Sequence, residues 1–261
     1  VSKDTVRQLA NAFSVVLALT VNILANALPL NGQNTGEISN RFKVYFVPAG
    51  YVFAIWGVIY IGWMVFAVYQ FMPKQKENPR LRRLGYFFTL SGVFNALWLF
   101  CWHYNQIGLS VLVMLILLGL LIVSYLRLGV GRVPNSTLEH WFVEVPFSAY
   151  LGWISVATIA NISDWLFAIH WGGWSIPAPT WAAIMIGAAS LLGVLMALTR
   201  LDDAYLFVLV WAFIGIAVKQ TSSSLVMNTA WIASAILLPV AIICIVQRFR
   251  NLKTTQKVTS R

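Results

Sequence analysis

The chain has 261 residues, 59% of them hydrophobic and only 10% charged, against about 25% charged in an ordinary soluble domain. Such a composition excludes a water-soluble globule. The net charge of +10 would suit nucleic acid only if the basic residues shared one solvated face, and here they sit in the short stretches between apolar runs.

A bilayer core takes about 20 apolar residues per helical span. Runs free of Asp, Glu, Lys and Arg lie between Arg7 and Glu37, Lys43 and Lys74, Arg83 and Arg127, Asp164 and Arg200, Asp203 and Lys219, and Lys219 and Arg248. The first predicted span, 8–29, follows Lys3 and Arg7 and reaches Ala25-Asn26-Ala27. That pattern resembles a secretory signal, and we read it as a retained helix. The outward loop 30–47 is rich in turn formers and is a candidate lid. Span two covers 49–72, and the basic, proline-containing loop 72–83 reads as a topology determinant. The polar run His103-Tyr104-Asn105-Gln106 divides the next stretch into spans at 84–103 and 107–126.

A weaker span at 141–162 holds Glu144 near its inner end, close enough to the boundary to reach water. Segment 164–179 mixes tryptophans with helix breakers and reads as an interfacial belt. Spans at 178–199, 204–219 and 227–247 complete an all-α, polytopic helical bundle of about eight spans. With an even count both termini share a side, and every Lys and Arg except Arg41, Lys43 and Lys219 falls there. That asymmetry predicts cytoplasmic termini, and the basic tail could touch anionic lipid. Cys101 and Cys244 lie inside spans, so they imply no disulfide framework.

Three spans carry polar and aromatic stripes. Trp56, Tyr60 and Trp63, with Phe53 a turn earlier, share a face of span two. Ser91, Asn95, Trp98 and Trp102 do so in span three, and Tyr150, Trp153, Ala157, Asn161 and Trp165 in span five, with Thr158 beside them. Carboxamides in hydrocarbon must turn toward another helix or a cavity. Two arrangements satisfy this pattern: stripes enclosing a pocket for a flat, weakly polar hydrophobe, or stripes packed on one another with asparagines as interhelical glue.

Other chemistry is thin. His103, His140 and His170 stand apart near span ends, a weak basis for a haem or chlorophyll ligand. Phosphate-binding and nucleophile-elbow motifs are missing, which argues against nucleotide-driven transport, and a proton-coupled carrier would show more buried charge.

In span five, Pro146, Tyr150, Trp153, Ala157, Thr158, Asn161 and Trp165 resemble the P-Y-x-x-W-x-x-x-A-T-x-L-N-x-x-x-W signature of the translocator-protein or tryptophan-rich sensory protein family (TspO/MBR). Asn95 and Trp98 are similar to its N-x-x-W pair, and Pro48, Tyr51, Val52, Phe53, Trp56, Ile59 and Tyr60 resemble P-x-W-V-F-x-x-x-W-x-x-L-Y. Spacing departs before Trp56 and before Trp153, Ser91 stands where the family often has Gln, and Ile162 and Leu166 replace the Tyr and Arg of its sterol motif.

The resemblance implies a five-helix core over 1–168, matched from about residue 8, followed by three additional helices over 169–261, as in a long bacterial member. It also implies a porphyrin or related tetrapyrrole bound below the first loop. Tyr51, Trp56, Asn95, Trp98, Trp153, Ala157, Thr158 and Asn161 would line that site, joined by Phe53, Tyr60 and Tyr150 from the stripes. No cofactor is required, and turnover is not expected. The implied partners are the bilayer of a bacterial inner membrane, a hydrophobic small molecule, and a second copy or a larger membrane complex, with no nucleic acid. The competing expectations are an accessory subunit of a pigment-protein assembly and a pigment-modifying enzyme.

Overall fold

The structure is a computed structural model that describes residues 2–28, 30–133 and 136–259, side chains excepted at 249 and 251–259. The contact with anionic lipid expected of the basic tail falls outside the described residues.

The first helix, α1 (Lys3–Ala27), starts at Ser2, whose hydroxyl accepts from the Thr5 N–H. It is inside out by the standards of a soluble protein. Gln8, Asn11, Ser14, Ala18, Asn22 and Ala25 form its buried face, while Leu9, Phe13, Val16 and Ile23 point outward. In a bilayer this is the stable choice, because hydrocarbon solvates the leucines and the amides need protein partners. They find them on α3 (Ile55–Gln70) and α5 (Phe87–His103). Asn11 Nδ2 donates to Gln70 Oε1 at 3.0 Å, Thr89 Oγ1 donates to Asn11 Oδ1 at 2.7 Å, and Asn22 Nδ2 donates to Asn95 Oδ1 at 2.8 Å. Gly92 permits the approach, since a Cβ there would lie 2.1 Å from Ser14 Oγ.

Loop 30–47 contains the short helix α2 (Thr35–Arg41), closed by a reciprocal cap between Asn34 and Glu37. Between α3 and α5 lies α4 (Pro79–Leu84), and α6 (Ile107–Leu128) follows α5. A single turn, α7 (Thr137–Glu139), and a π-helical turn at His140–Glu144 lead into α8 (Val145–Ala168). The last three are α9 (Ala178–Arg200), α10 (Asp203–Lys219) and α11 (Ser224–Thr259).

Packing runs from α1 to α5, α5 to α6, and α6 to α8, which also meets α3 and α10; α9 and α11 pack on α10 and on each other. Helix α8 is the axle, the most buried of the long helices. The last three helices are tied directly to the first part of the chain. Trp211 Nε1 of α10 donates to the Val52 carbonyl at 2.9 Å, the Ala49 N–H donates to the Gly215 carbonyl at 3.0 Å, and a Cβ at Gly215 would lie 2.1 Å from Val52 Cγ2.

The all-α membrane bundle expected from the sequence is therefore what the chain forms. Among the described residues, six helical segments are long and apolar enough to cross a bilayer. Helices α5 and α10, 17 residues each, stand at the lower limit of spanning length, so eight spans remain an expectation. Contacts also gather the basic residues assigned to one side. Arg82 pairs with Asp4 at 2.6 Å, Arg7 donates to the Lys76 carbonyl at 3.0 Å, and Arg248 pairs with Asp203 at 2.9 Å.

Two boundaries differ from the expected ones in ways that matter. Helix α8 runs on to Ala168 rather than ending near 162, so Asp164, read as the start of an interfacial belt, is a buried helical residue. Glu144, expected to reach water, is only 2% exposed and reaches Arg80 instead, with Arg80 Nη2 2.5 Å from Glu144 Oε1.

Candidate functional site: an aromatic cleft beneath the first loop

The stripes of α3 and α8 meet as an aromatic cluster. Trp56 is its hub, with ring centroids 5.7 Å from Tyr60, 6.2 Å from Trp153, 6.3 Å from Tyr150 and 6.4 Å from Trp63. Phe53 stands edge-on to Trp153 at 5.8 Å, and the edge-to-face geometries are those that ring quadrupoles favour. From α5, Trp98 stacks on Trp102 at 5.6 Å and donates through Nε1 to Asn161 Oδ1 at 2.9 Å. Asn161 Nδ2 then donates to Ser110 Oγ of α6 at 2.9 Å. Asn161 thus joins three helices, as the glue arrangement requires, yet the rings are not packed solid.

A cleft of about 620 Å³ opens between α1, loop 30–47, α3 and α5. Phe53, Trp56, Tyr60 and Trp98 form its aromatic wall, and Asn22, Asn26, Asn34 and Thr35 its polar one. Behind it a small chamber of about 40 Å³ shares Thr35, Phe53, Trp56 and Trp98 and adds Trp153, Ala157, Asn161 and Asp164. The cleft falls within the size range of small-molecule sites, which are apolar with a few convergent polar groups.

Loop 30–47 roofs this space and is pinned to the end of α5. His103 reaches Thr35 Oγ1 at 3.1 Å and the Leu30 carbonyl at 3.2 Å, Asn31 Nδ2 donates to the His103 carbonyl at 3.0 Å, and Trp102 Nε1 donates to the Thr35 carbonyl at 3.3 Å. Both His103 nitrogens are thereby engaged. His140 lies between Glu144 Oε2, 3.0 Å away, and Arg248, whereas His170 sits in the left-handed region at φ 56°.

Of the residues expected at the site, Phe53, Trp56, Tyr60, Trp98, Trp153, Ala157 and Asn161 line the cleft or its chamber. Four others do not. Tyr51, on a 3-10 turn (Gly50–Ala54), is 47% exposed and leans on Trp211 at 5.5 Å. Asn95 and Tyr150 lie one layer deeper, both fully buried. Thr158 faces a different groove and returns its hydroxyl to the Ile154 carbonyl at 2.7 Å.

Sequence reasoning missed Asn22 and Asn26, although a polar stripe on α1 was visible in the spacing. It also missed Asp164. This carboxyl is 1% exposed, lines the inner chamber, and has Oδ1 unpartnered among the described residues. A carboxyl kept from water without a donor is costly. Asp164→Asn should therefore raise the thermal midpoint of the unliganded protein; an unchanged or lower midpoint would show that Asp164 is better satisfied than its surroundings indicate.

At the opposite end, buried charges form a structural network: Arg80 with Glu144 and, at 3.4 Å, Glu139; Arg248 with Asp203; and Asp202 accepting from Tyr125 Oη at 2.7 Å and Ser148 Oγ at 2.8 Å. Burial pushes the Asp202 carboxyl above its ordinary range, against the pull of those hydroxyls. Besides Glu144, the carboxyls of Asp164, Asp202 and Asp203 are buried.

The fold and cleft define a polytopic helical membrane protein with an aromatic chamber under its first loop. A family model described as TSPO-like protein matches residues 8–243, and the chain belongs to that family. The match continues past 168 through most of α9, α10 and α11. Neither a curated protein nor a solved structure matches the chain.

Proposed function

We propose that the protein binds a flat, hydrophobic, weakly polar ligand of the tetrapyrrole type in the cleft beneath loop 30–47, as a receptor or carrier rather than an enzyme. The observation that carries this reading is the cleft itself, where indole and phenol rings of α3 and α5 face the amides of α1 across about 620 Å³. Rings on one wall can stack on a planar ligand while amides on the other bond its polar edge. Membership in the TSPO-like family supports the assignment. The one-sided distribution of Lys and Arg supports placing both termini on the cytoplasmic side, in a bacterial inner membrane. Helices α9, α10 and α11 act in this reading as a buttress, holding Val52 and the turn that begins α3 through Trp211 and Gly215.

The test is titration of protoporphyrin into the purified protein, following tryptophan fluorescence. Saturable quenching is expected, weakened in Trp153→Ala and Asn161→Ala. Saturation unchanged in both variants would overturn the placement of the site, and linear, unsaturable quenching would overturn the function.

A further inference from the structure

A second cavity, separate from the aromatic cleft, lies on the other side of α8. It measures about 520 Å³ and is walled by Leu118 and Ile122 of α6, Val156 and Ile159 of α8, and Leu192 and Met196 of α9. It exists because α6 packs on α5 and α8 while α9 packs on α10 and α11, leaving a furrow between α6 and α9. Ile122, Leu126 and Leu192 are exposed along its rim, so the furrow opens sideways into the bilayer.

Its serine and threonine hydroxyls are spent. Ser155, Thr158 and Thr199 return theirs to the carbonyls of Leu151, Ile154 and Leu195 at 2.8, 2.7 and 2.6 Å. Polarity is left at one end, where Arg132 and Arg200 stand. Arg200 is 8% exposed; it donates to the Val130 carbonyl at 3.0 Å and lies 5.5 Å over the Tyr125 ring. Among the described residues neither arginine has a carboxylate within ion-pair distance. The nearby acids are engaged elsewhere, Glu144 with Arg80 and Asp202 with Tyr125 and Ser148. A guanidinium so withdrawn from water calls for an anion, and it terminates an apolar furrow reached from the membrane.

We infer that this furrow is a binding site for an acidic glycerophospholipid of the surrounding bilayer, with an acyl chain lying between α6 and α9 and the phosphodiester between Arg132 and Arg200. Guanidinium forks bond phosphate oxygens in pairs, and basic pockets between helices on the cytoplasmic side are the expected seats of acidic headgroups. The site is independent of the aromatic cleft and does not rest on the ligand proposed there.

Native mass spectrometry of the full chain, with phosphatidylglycerol or phosphatidylcholine added at equal concentration, tests it. Phosphatidylglycerol should be retained at least about fivefold more than phosphatidylcholine and should raise the thermal midpoint. Arg132→Gln, at an exposed position, should abolish most of that preference. Leu192→Trp, which fills the furrow without touching the charges, should lower retention of both lipids. Arg200→Gln should act like Arg132→Gln if it folds, and the other two variants decide the matter if it does not. Equal retention of the two lipids, or wild-type behaviour of both Arg132→Gln and Leu192→Trp, would overturn the proposal. Glycerol phosphate protecting as well as the intact lipid would also overturn it, by showing a site for a free anion.

Discussion

In the Trp56→Ala variant, protoporphyrin affinity is expected to fall about thirtyfold, while Tyr51→Ala leaves it within about twofold. Trp56 borders both the cleft and the inner chamber and touches four other rings. A desolvated tryptophan at the centre of a site typically contributes about 2 kcal/mol or more, and about 1.4 kcal/mol corresponds to tenfold. Tyr51 stands on the same segment and matches the same family pattern, but it leans outward on Trp211. The pair therefore separates the cleft from a general effect of removing aromatic surface. Fluorescence titration of both variants reads it, with circular dichroism as the check that each is folded. Equal losses in the two would place the ligand elsewhere.

The second large effect is on stability. Arg80→Ala should destabilise the protein by about 3–5 kcal/mol, because it removes the guanidinium from Glu144, a buried carboxylate then left with His140 and the Gly131 N–H. Arg80 also donates to the Leu128 carbonyl, so α4, α6 and the π turn before α8 loosen together. Replacing both charges, as Arg80→Met with Glu144→Leu, should recover much of the loss, since apolar side chains carry no desolvation cost. Unfolding in mixed micelles, read by circular dichroism, measures both. A double variant no more stable than Arg80→Ala would show that the pair does more than neutralise itself.

The helices were readable from gaps between charges because hydrocarbon tolerates few of them. The same rule misplaced the end of α8: an acidic residue was taken as a sign of water, and Asp164 instead turns toward the bundle interior. Periodicity placed the rings well where they stand on regular helix. Trp56, Tyr60, Trp98, Trp153, Ala157 and Asn161 converge as their spacing requires. It failed where the backbone is irregular, as at Tyr51 on its 3-10 turn, and where adjacency was taken for a shared face. Thr158 is about 100° around the helix from Ala157 and looks into the furrow on the other side. The pairing of Arg80 with Glu144 joins residues far apart in sequence, and such a match is fixed by the packing of α4 against α6 and the entrance to α8.

The inverted character of α1 bears on how the protein is made. A segment emerging with Gln8, Asn11, Ser14 and Asn22 along one side meets lipid before its partners exist, because Gln70, Thr89 and Asn95 are synthesised some 60 to 80 residues later. Each unmatched amide costs about 1 kcal/mol in such surroundings. The first helix is thus a late settler in biogenesis: it requires shelter from the insertion machinery until α3 and α5 arrive to receive it.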